Sequence, residues 1–155
     1  MEQSPDKLME LYLQKAPGVL FTFQFIEEFL RMYIAYCYQI INFKVSKHIP
    51  FKYNYKDLQK DSLGTLLSKF KKFSKDSSLI KEIENLVKDR NYSAHEVYLL
   101  TYEQQKDSKY LLREIEKIDE IARKGEECRE RISAQLKEVE AVWNRIREGK
   151  NIENV

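Results

Sequence analysis

Two side chains in the middle of the chain, Arg90 and His95, are of types that can cut RNA without a metal ion. Attack of a ribose 2′-hydroxyl on the adjacent phosphate needs a proton to be taken from one oxygen and given to another, and an imidazole does this near neutral pH. The reaction also needs fixed positive charge on the phosphate oxygens, which a guanidinium supplies through paired hydrogen bonds. Asn91 follows Arg90 directly, and its amide can orient either group. We therefore interpret Arg90, Asn91 and His95 as candidate catalytic residues.

The same residues also have a purely structural interpretation. In that interpretation His95 donates a hydrogen bond to a backbone carbonyl, and Arg90 pairs with Glu84 or Glu96 at a helix junction. The other histidine, His48, belongs to a basic loop, and we expect it to be an ordinary exposed residue.

The segment Arg90-Asn91-Tyr92-Ser93-Ala94-His95 resembles the Arg-x4-His motif of the HEPN superfamily. The similarity takes in the amphipathic segment 79–87 and the stretch Leu63-Gly64-x-Leu66-Leu67, and it covers residues 19–102. It implies an all-α, HEPN-like helical bundle of four to five helices that acts as a metal-independent endoribonuclease in toxin–antitoxin or phage-defence systems. It also implies a homodimer, in which two motifs meet to form one cleft that cuts RNA without a cofactor.

The resemblance has one departure and one alternative. Some members of the superfamily carry a tyrosine two positions after the histidine, as a target for nucleotide transfer by a partner enzyme. Here that position is Val97 and the nearest tyrosine is Tyr98, so we do not expect this regulation. Other members are degenerate and serve as non-catalytic partners, so a binding or scaffold module remains the alternative function.

The positive charge of the chain is concentrated between residues 44 and 75. Nine Lys and two Asp give this segment a charge of +7, whereas the whole chain carries only +2, so the remainder carries −5. Such asymmetry favours an anionic partner, and the interleaved Phe51, Tyr53 and Tyr55 could stack on bases. In the alternative, the lysines are a solvated face and the aromatic side chains cap the core. The candidate RNA-binding residues are Lys44, Lys47, Lys52, Lys56, Lys69, Lys71 and Lys72.

The composition predicts an all-α fold. Only 4 Gly and 3 Pro occur, and 34% of the residues are charged, which suits amphipathic helices. Pro17-Gly18 is expected to separate the first two helices, and residues 91–93 are expected to form a kink or tight turn. Ser4 is the expected N-cap of the first helix, and Ser77 or Ser78 that of the fourth. The predicted helices of this bundle, which we assign to residues 1–106, are 5–16, 19–45, 56–74, 77–90 and 95–102.

Residues 107–155 are predicted to form a second part, a long helix or helical hairpin with a heptad pattern. This part could assemble with itself, bind a helical partner protein or an antitoxin, or fold back on the bundle. Its weak middle, Gly125 and Arg129, indicates a bend or a polar layer. The apolar seam is expected at Leu111, Ile115, Ile118, Ala122, Gly125, Arg129, Ile132, Leu136, Val139, Trp143 and Ile146.

We expect a soluble, cytoplasmic protein that does not enter a membrane. The apolar segment 19–43 contains Glu27, Glu28 and Arg31, which would each be costly in lipid, and Glu27 and Arg31 have the i, i+4 spacing of an ion pair. The N-terminal residues have no apolar signal-peptide core. Cys37 and Cys128 lack neighbouring ligands, so we expect neither a disulfide nor a metal site.

Overall fold

A computed structural model describes residues 4–149, and within that range the chain forms six α-helices and no strand, which confirms the predicted all-α fold. The outer ends of the two predicted parts, 1–3 and 150–155, lie outside the described residues. The helices are α1 (Pro5–Val45), α2 (Tyr55–Gln59), α3 (Leu63–Phe70), α4 (Ser77–His95), α5 (Tyr102–Lys106) and α6 (Ser108–Arg147).

Helix α1 runs without interruption through Pro17, so the predicted break at Pro17-Gly18 is wrong. Pro17 lies on an exposed side of the helix, where water can satisfy the carbonyl group that loses its helical donor. Its neighbours Ala16 and Val19 are buried, and their packing holds the helix together on the other side. Ser4 occupies the N-cap position as predicted, although its side chain makes no capping hydrogen bond.

The predicted helix 56–74 is instead two short helices, α2 and α3. Each has its own N-cap, because the Asn54 side chain accepts from the amide of Lys56 and the Ser62 hydroxyl accepts from the amide of Thr65. Two caps eight residues apart divide the segment, although its apolar residues keep a single helical spacing.

Helix α4 differs from its prediction at both ends. Its N-cap is Asp76, which accepts from the amide of Leu79, rather than Ser77 or Ser78. No turn occurs at residues 91–93, and the helix continues to His95, with the hydroxyl of buried Ser93 bonded to the Asp89 carbonyl at 2.8 Å. The predicted helix 95–102 is instead a turn at 96–98 followed by residues without regular secondary structure, before α5 begins at Tyr102.

Helix α6 is a single helix of 40 residues, so of the two alternatives predicted for Gly125 and Arg129, a bend or a polar layer, the bend is wrong. Its buried seam also differs from the predicted one: Ile121 and Cys128 are buried in place of Ala122 and Arg129, and Val139 and Trp143 are only partly buried. Gly125 allows the helix to approach α1 closely: a Cβ atom there would lie 2.9 Å from Cγ2 of Thr22.

Three long helices form most of the core, with α1 and α6 parallel and α4 antiparallel to both, and buried side chains of α2 and α3 complete it. Contacts between α1 and α6 run in the same order along both helices, from Lys15 with Asp119 to the rings of Phe43 and Trp143. Helix α6 is therefore packed along α1 rather than projecting from the bundle. Among residues 4–149, no helix is both long enough and apolar enough to cross a membrane.

Candidate functional site

The three candidate catalytic residues lie on the last turns of α4. Because the helix is continuous, Asn91 and His95 are one turn apart on the same face, and both are exposed. Arg90 points about 140° away from His95 around the helix axis, toward α1. In one chain, therefore, the imidazole and the guanidinium do not face each other across a cleft.

Arg90 contacts Glu27 of α1, and this partner was not predicted. Its Nε atom lies 3.4 Å from Oε1 of Glu27, whose side chain is only 12% exposed, while the Arg90 side chain is 33% exposed. The predicted structural partners are wrong, because Glu84 is bound by Lys71 and Glu96 makes no side-chain contact with Arg90 in the described structure. The contact joins two helices across 63 residues of sequence, so spacing within α4 could not reveal it.

Glu27 also forms the predicted ion pair with Arg31, with Oε2 3.5 Å from Nη2. Arg31 is itself fixed by the segment that joins α2 to α3: its Nε donates to the Leu58 carbonyl at 3.0 Å and its Nη2 to the Asp61 carbonyl at 3.2 Å. The carboxylate of Glu27 thus lies between one rigid arginine and one partly exposed arginine.

His95 is exposed, and its imidazole makes no hydrogen bond or ion pair within residues 4–149. The structural interpretation, in which the ring donates to a backbone carbonyl, is therefore not the arrangement observed. The ring is open to solvent and able to accept or donate a proton. His48, as expected, is also exposed, in the turn after α1.

The turn that follows His95 is anchored to the core. Val97 is 2% exposed, and its carbonyl accepts a 2.6 Å hydrogen bond from the hydroxyl of Tyr12 on α1. Burial raises the pKa of Tyr12 to about 12, so the hydroxyl stays protonated and keeps donating. Beside it, the Tyr92 hydroxyl donates to Glu114 of α6, and the Lys117 ammonium lies 3.3 Å from the centre of the Tyr92 ring. These contacts fix the end of α4.

Several exposed apolar side chains lie beside this end of α4, while others, among them Phe21, Phe25 and Ile49, lie elsewhere on the described structure. Leu99 is 75% exposed and Tyr102 is 74% exposed, and Tyr98 and Leu13 are about half exposed. Leu13 follows Tyr12, which contacts the same turn. Apolar surface of this kind at one end of a molecule is typical of a binding surface.

The seven candidate RNA-binding lysines lie near the C-terminal end of α1 and on the segment that follows. Three of them, Lys52, Lys69 and Lys72, line one surface depression together with Phe51 and Tyr53. Two are paired with acids: Lys69 with Asp61 and Lys71 with Glu84. The side chains of Lys44, Lys47, Lys52, Lys56 and Lys72 form no ion pair among the described residues.

The aromatic residues of this segment pack mainly against one another and against the helices. The Tyr38 ring lies 5.7 Å from that of Phe51, 5.5 Å from that of Tyr53 and 5.6 Å from that of Phe73. The Tyr55 hydroxyl donates to Glu28 at 2.9 Å. This arrangement favours the alternative in which these rings cap the core.

The basic segment and His95 are at different levels of the bundle. Tyr38, beside the lysines, is about 16 Å along α1 from Glu27, which marks the level of Arg90. Helix α4 then carries His95 further in the opposite direction. Most of the lysines and His95 are therefore not brought together in one chain, and an RNA strand would have to extend along the molecule to contact both. Lys71 lies nearer to the motif, because its partner Glu84 is six residues before Arg90 on α4, about 9 Å along the helix axis.

Within the described part of the chain, no three His, Cys, Asp or Glu side chains are grouped as they would be to hold a metal ion. Comparisons with protein-family models, curated proteins and solved structures found no match to this chain.

Proposed function

We propose that this protein is a metal-independent endoribonuclease of the HEPN type that acts as a homodimer. The observation that carries the proposal is the state of His95: it ends a well-anchored helix, faces solvent, and has no partner among the described residues. Asn91 lies beside it one turn away, and Arg90 is one-third exposed on the same two turns. A helix end held in place by buried contacts is a suitable support for catalytic side chains.

The chemistry assigns one role to each residue. The His95 imidazole takes the proton from a ribose 2′-hydroxyl, and the resulting oxygen attacks the adjacent phosphorus. The bond to the 5′-oxygen breaks, that oxygen receives a proton from a second imidazole, and the products are a 2′,3′-cyclic phosphate and a 5′-hydroxyl. The Arg90 guanidinium neutralises the phosphate oxygens, and the Asn91 amide orients the imidazole or the phosphate.

The homodimer supplies what one chain lacks. Each chain has one histidine in the motif, and its Arg90 points away from its own His95. Two copies related by a two-fold axis could place two imidazoles and two guanidinium groups around one phosphodiester. The exposed Leu13, Tyr98, Leu99 and Tyr102 would be covered in such a pair, which gives the apolar surface a purpose.

A ribonuclease that cuts RNA without control is harmful to a cell. We therefore propose a toxin or phage-defence component that works in the cytoplasm and is held in check by an antitoxin or another helical partner protein. The lysines of residues 44–75, of which Lys52 and Lys72 are exposed and unpaired in the described structure, would attract the RNA backbone.

The test compares the two histidines of the chain. Wild type, His95→Ala and the matched control His48→Ala are incubated with single-stranded RNA in EDTA. We expect wild type and His48→Ala to leave 2′,3′-cyclic phosphate ends, and His95→Ala to be slower by roughly a hundred-fold or more. Cleavage that disappears on chelation would overturn the metal-free mechanism. Equal rates for the two variants would remove His95 from the site, and a monomeric mass during turnover would remove the homodimer.

A non-catalytic binding module is the second candidate, and one observation favours it. Arg90 is engaged by Glu27 within its own chain, as an arginine with a structural role would be. Expression of wild type and His95→Ala in a bacterium separates the two functions. Equal growth of the two strains would support the binding module, whereas slower growth with wild type alone would support the nuclease.

A further inference from the structure

The Glu27 carboxylate is one of the least exposed charged groups in the described structure, and one of its two oxygen atoms lacks a hydrogen-bond donor. Its Oε1 atom is buried and has no hydrogen-bond partner, although Nε of Arg90 lies 3.4 Å away. That separation is long and the geometry does not meet the requirements of a hydrogen bond. A buried carboxylate oxygen without a donor is costly, and such groups often indicate a functional arrangement.

The contact uses only one edge of the Arg90 guanidinium. The contact that Arg90 makes with Glu27 is through Nε, and neither terminal nitrogen of Arg90 donates a hydrogen bond within residues 4–149. A guanidinium has five N–H donors, and its outer edge can bind two oxygens of a phosphate at once. Nε of Arg90 thus contacts Glu27, and the terminal nitrogens have no hydrogen-bond acceptor among the described residues.

The position of Glu27 does not depend on Arg90. Its other oxygen contacts Arg31, which two backbone carbonyls hold in place and whose side chain is only 13% exposed. Because Arg31 holds Glu27, the contact would shorten through a small movement of the more exposed Arg90 side chain. Contacts of this type often shorten when a substrate binds.

We infer that Glu27 is a positioning residue that orients the Arg90 guanidinium for a phosphate, and that its contact with Nε tightens when the phosphate is bound. The inference rests on the proposed function, since the phosphate is that of the RNA substrate. Glu27 touches no substrate itself and acts through Arg90. Its negative charge also lowers the cost of holding Arg90 partly buried before the substrate arrives.

The test is a double-mutant cycle with a matched control. Glu27→Gln, Arg90→Lys and the double variant are compared in the full chain. The control is Glu28→Gln, which removes a carboxylate 3.4 Å from the same Arg31 but on the exposed side and away from Arg90. Rates are measured on single-stranded RNA, and affinities on a 2′-O-methyl oligonucleotide that cannot be cleaved. Circular dichroism melts establish that each variant folds. If Glu27→Gln does not fold, Glu27→Asp takes its place, because it keeps the negative charge but moves the carboxylate away from Arg90.

We expect Glu27→Gln to lower kcat/KM about ten-fold or more, with Glu28→Gln close to wild type. Because Glu27 acts through Arg90, the double variant should be no slower than Arg90→Lys alone. Losses that multiply in the double variant, or equal rates for Glu27→Gln and Glu28→Gln, would overturn the inference while leaving the nuclease intact.

The affinities separate this inference from the proposed function. If the wild type binds the oligonucleotide but cleaves no RNA, the nuclease alone is overturned. The double-mutant cycle of Glu27→Gln and Arg90→Lys is then calculated from the Kd values for the oligonucleotide. A wild type that neither binds nor cleaves overturns both.

Discussion

The Tyr12 hydroxyl and the Val97 carbonyl oxygen are 2.6 Å apart, and this hydrogen bond attaches the turn after His95 to the first helix. Both groups are buried, so water cannot replace either partner if the other is lost. The bond joins residues 85 positions apart, and it determines where α4 ends relative to α1.

We predict that Tyr12→Phe lowers the free energy of unfolding by about 1–3 kcal/mol, because it leaves the Val97 carbonyl buried without a donor. Urea denaturation measures the change. The control is Tyr55→Phe, whose lost hydrogen bond to Glu28 is exposed and should cost less than about 1 kcal/mol. Equal losses in the two variants would mean that the turn is not held by Tyr12 in solution.

Local sequence patterns predicted the all-α fold, the buried stripe of most of α6 and the Glu27–Arg31 pair, since all of these depend on residues a few positions apart. The helix boundaries were less predictable. Pro17 is tolerated because packing on the opposite side of α1 outweighs its lost hydrogen bond, which only the tertiary structure reveals. The shift from Arg129 to Cys128 in the seam of α6 likewise follows from the direction in which α1 approaches.

The candidate site was only partly predictable for the same reason. The sequence indicated Arg90, Asn91 and His95 as a set, and the exposure of His95 agrees with a role in solvent. Glu27 as the partner of Arg90 could not be identified, because α1 and α4 are matched by long-range packing. One signal was present: Glu27 is one of two acids in the apolar segment 19–43, where a buried charge needs a partner.

The glycines of α1 and α6 provide a second prediction. Gly18 has nothing within 4 Å of an added Cβ, whereas a Cβ on Gly125 would lie 2.9 Å from Thr22 Cγ2. Gly18→Ala should therefore raise the free energy of unfolding by about 1 kcal/mol, through a more helix-favouring residue. Gly125→Ala should lower it by about 1–3 kcal/mol, because the helices must move apart or Thr22 must leave its rotamer. Urea denaturation measures both.

Thr22→Ala offers the control for the clash at Gly125. If the methyl group of Thr22 is the obstacle, Gly125→Ala should cost clearly less in the Thr22→Ala background than in wild type. An unchanged cost would show that the two helices do not meet at this pair of residues.

The final prediction concerns Asp76, the N-cap of α4. One carboxylate oxygen accepts from the Leu79 amide at 2.9 Å, and the other accepts from Arg131 at 2.9 Å and from Gln135 at 3.2 Å. The backbone hydrogen bond from Leu79 is the main cause that lowers the pKa of Asp76, and Arg131 and Gln135 lower it further. The ionised form is thus favoured in the folded state.

A folded pKa below the unfolded value of about 3.9 means that Asp76 stabilises the fold above that pH, and that the stabilisation is lost as the pH falls through the folded pKa. Asp76→Asn keeps an N-cap acceptor but loses the charge. We expect it to be less stable than wild type by about 1 kcal/mol at pH 7, with the difference shrinking below pH of about 4. Urea denaturation across this pH range measures it.

The control is Asp57→Asn in α2, an exposed carboxylate with no side-chain hydrogen bond among the described residues. A difference for Asp76→Asn that stays constant down to low pH would show that its carboxylate is not held by these donors in solution.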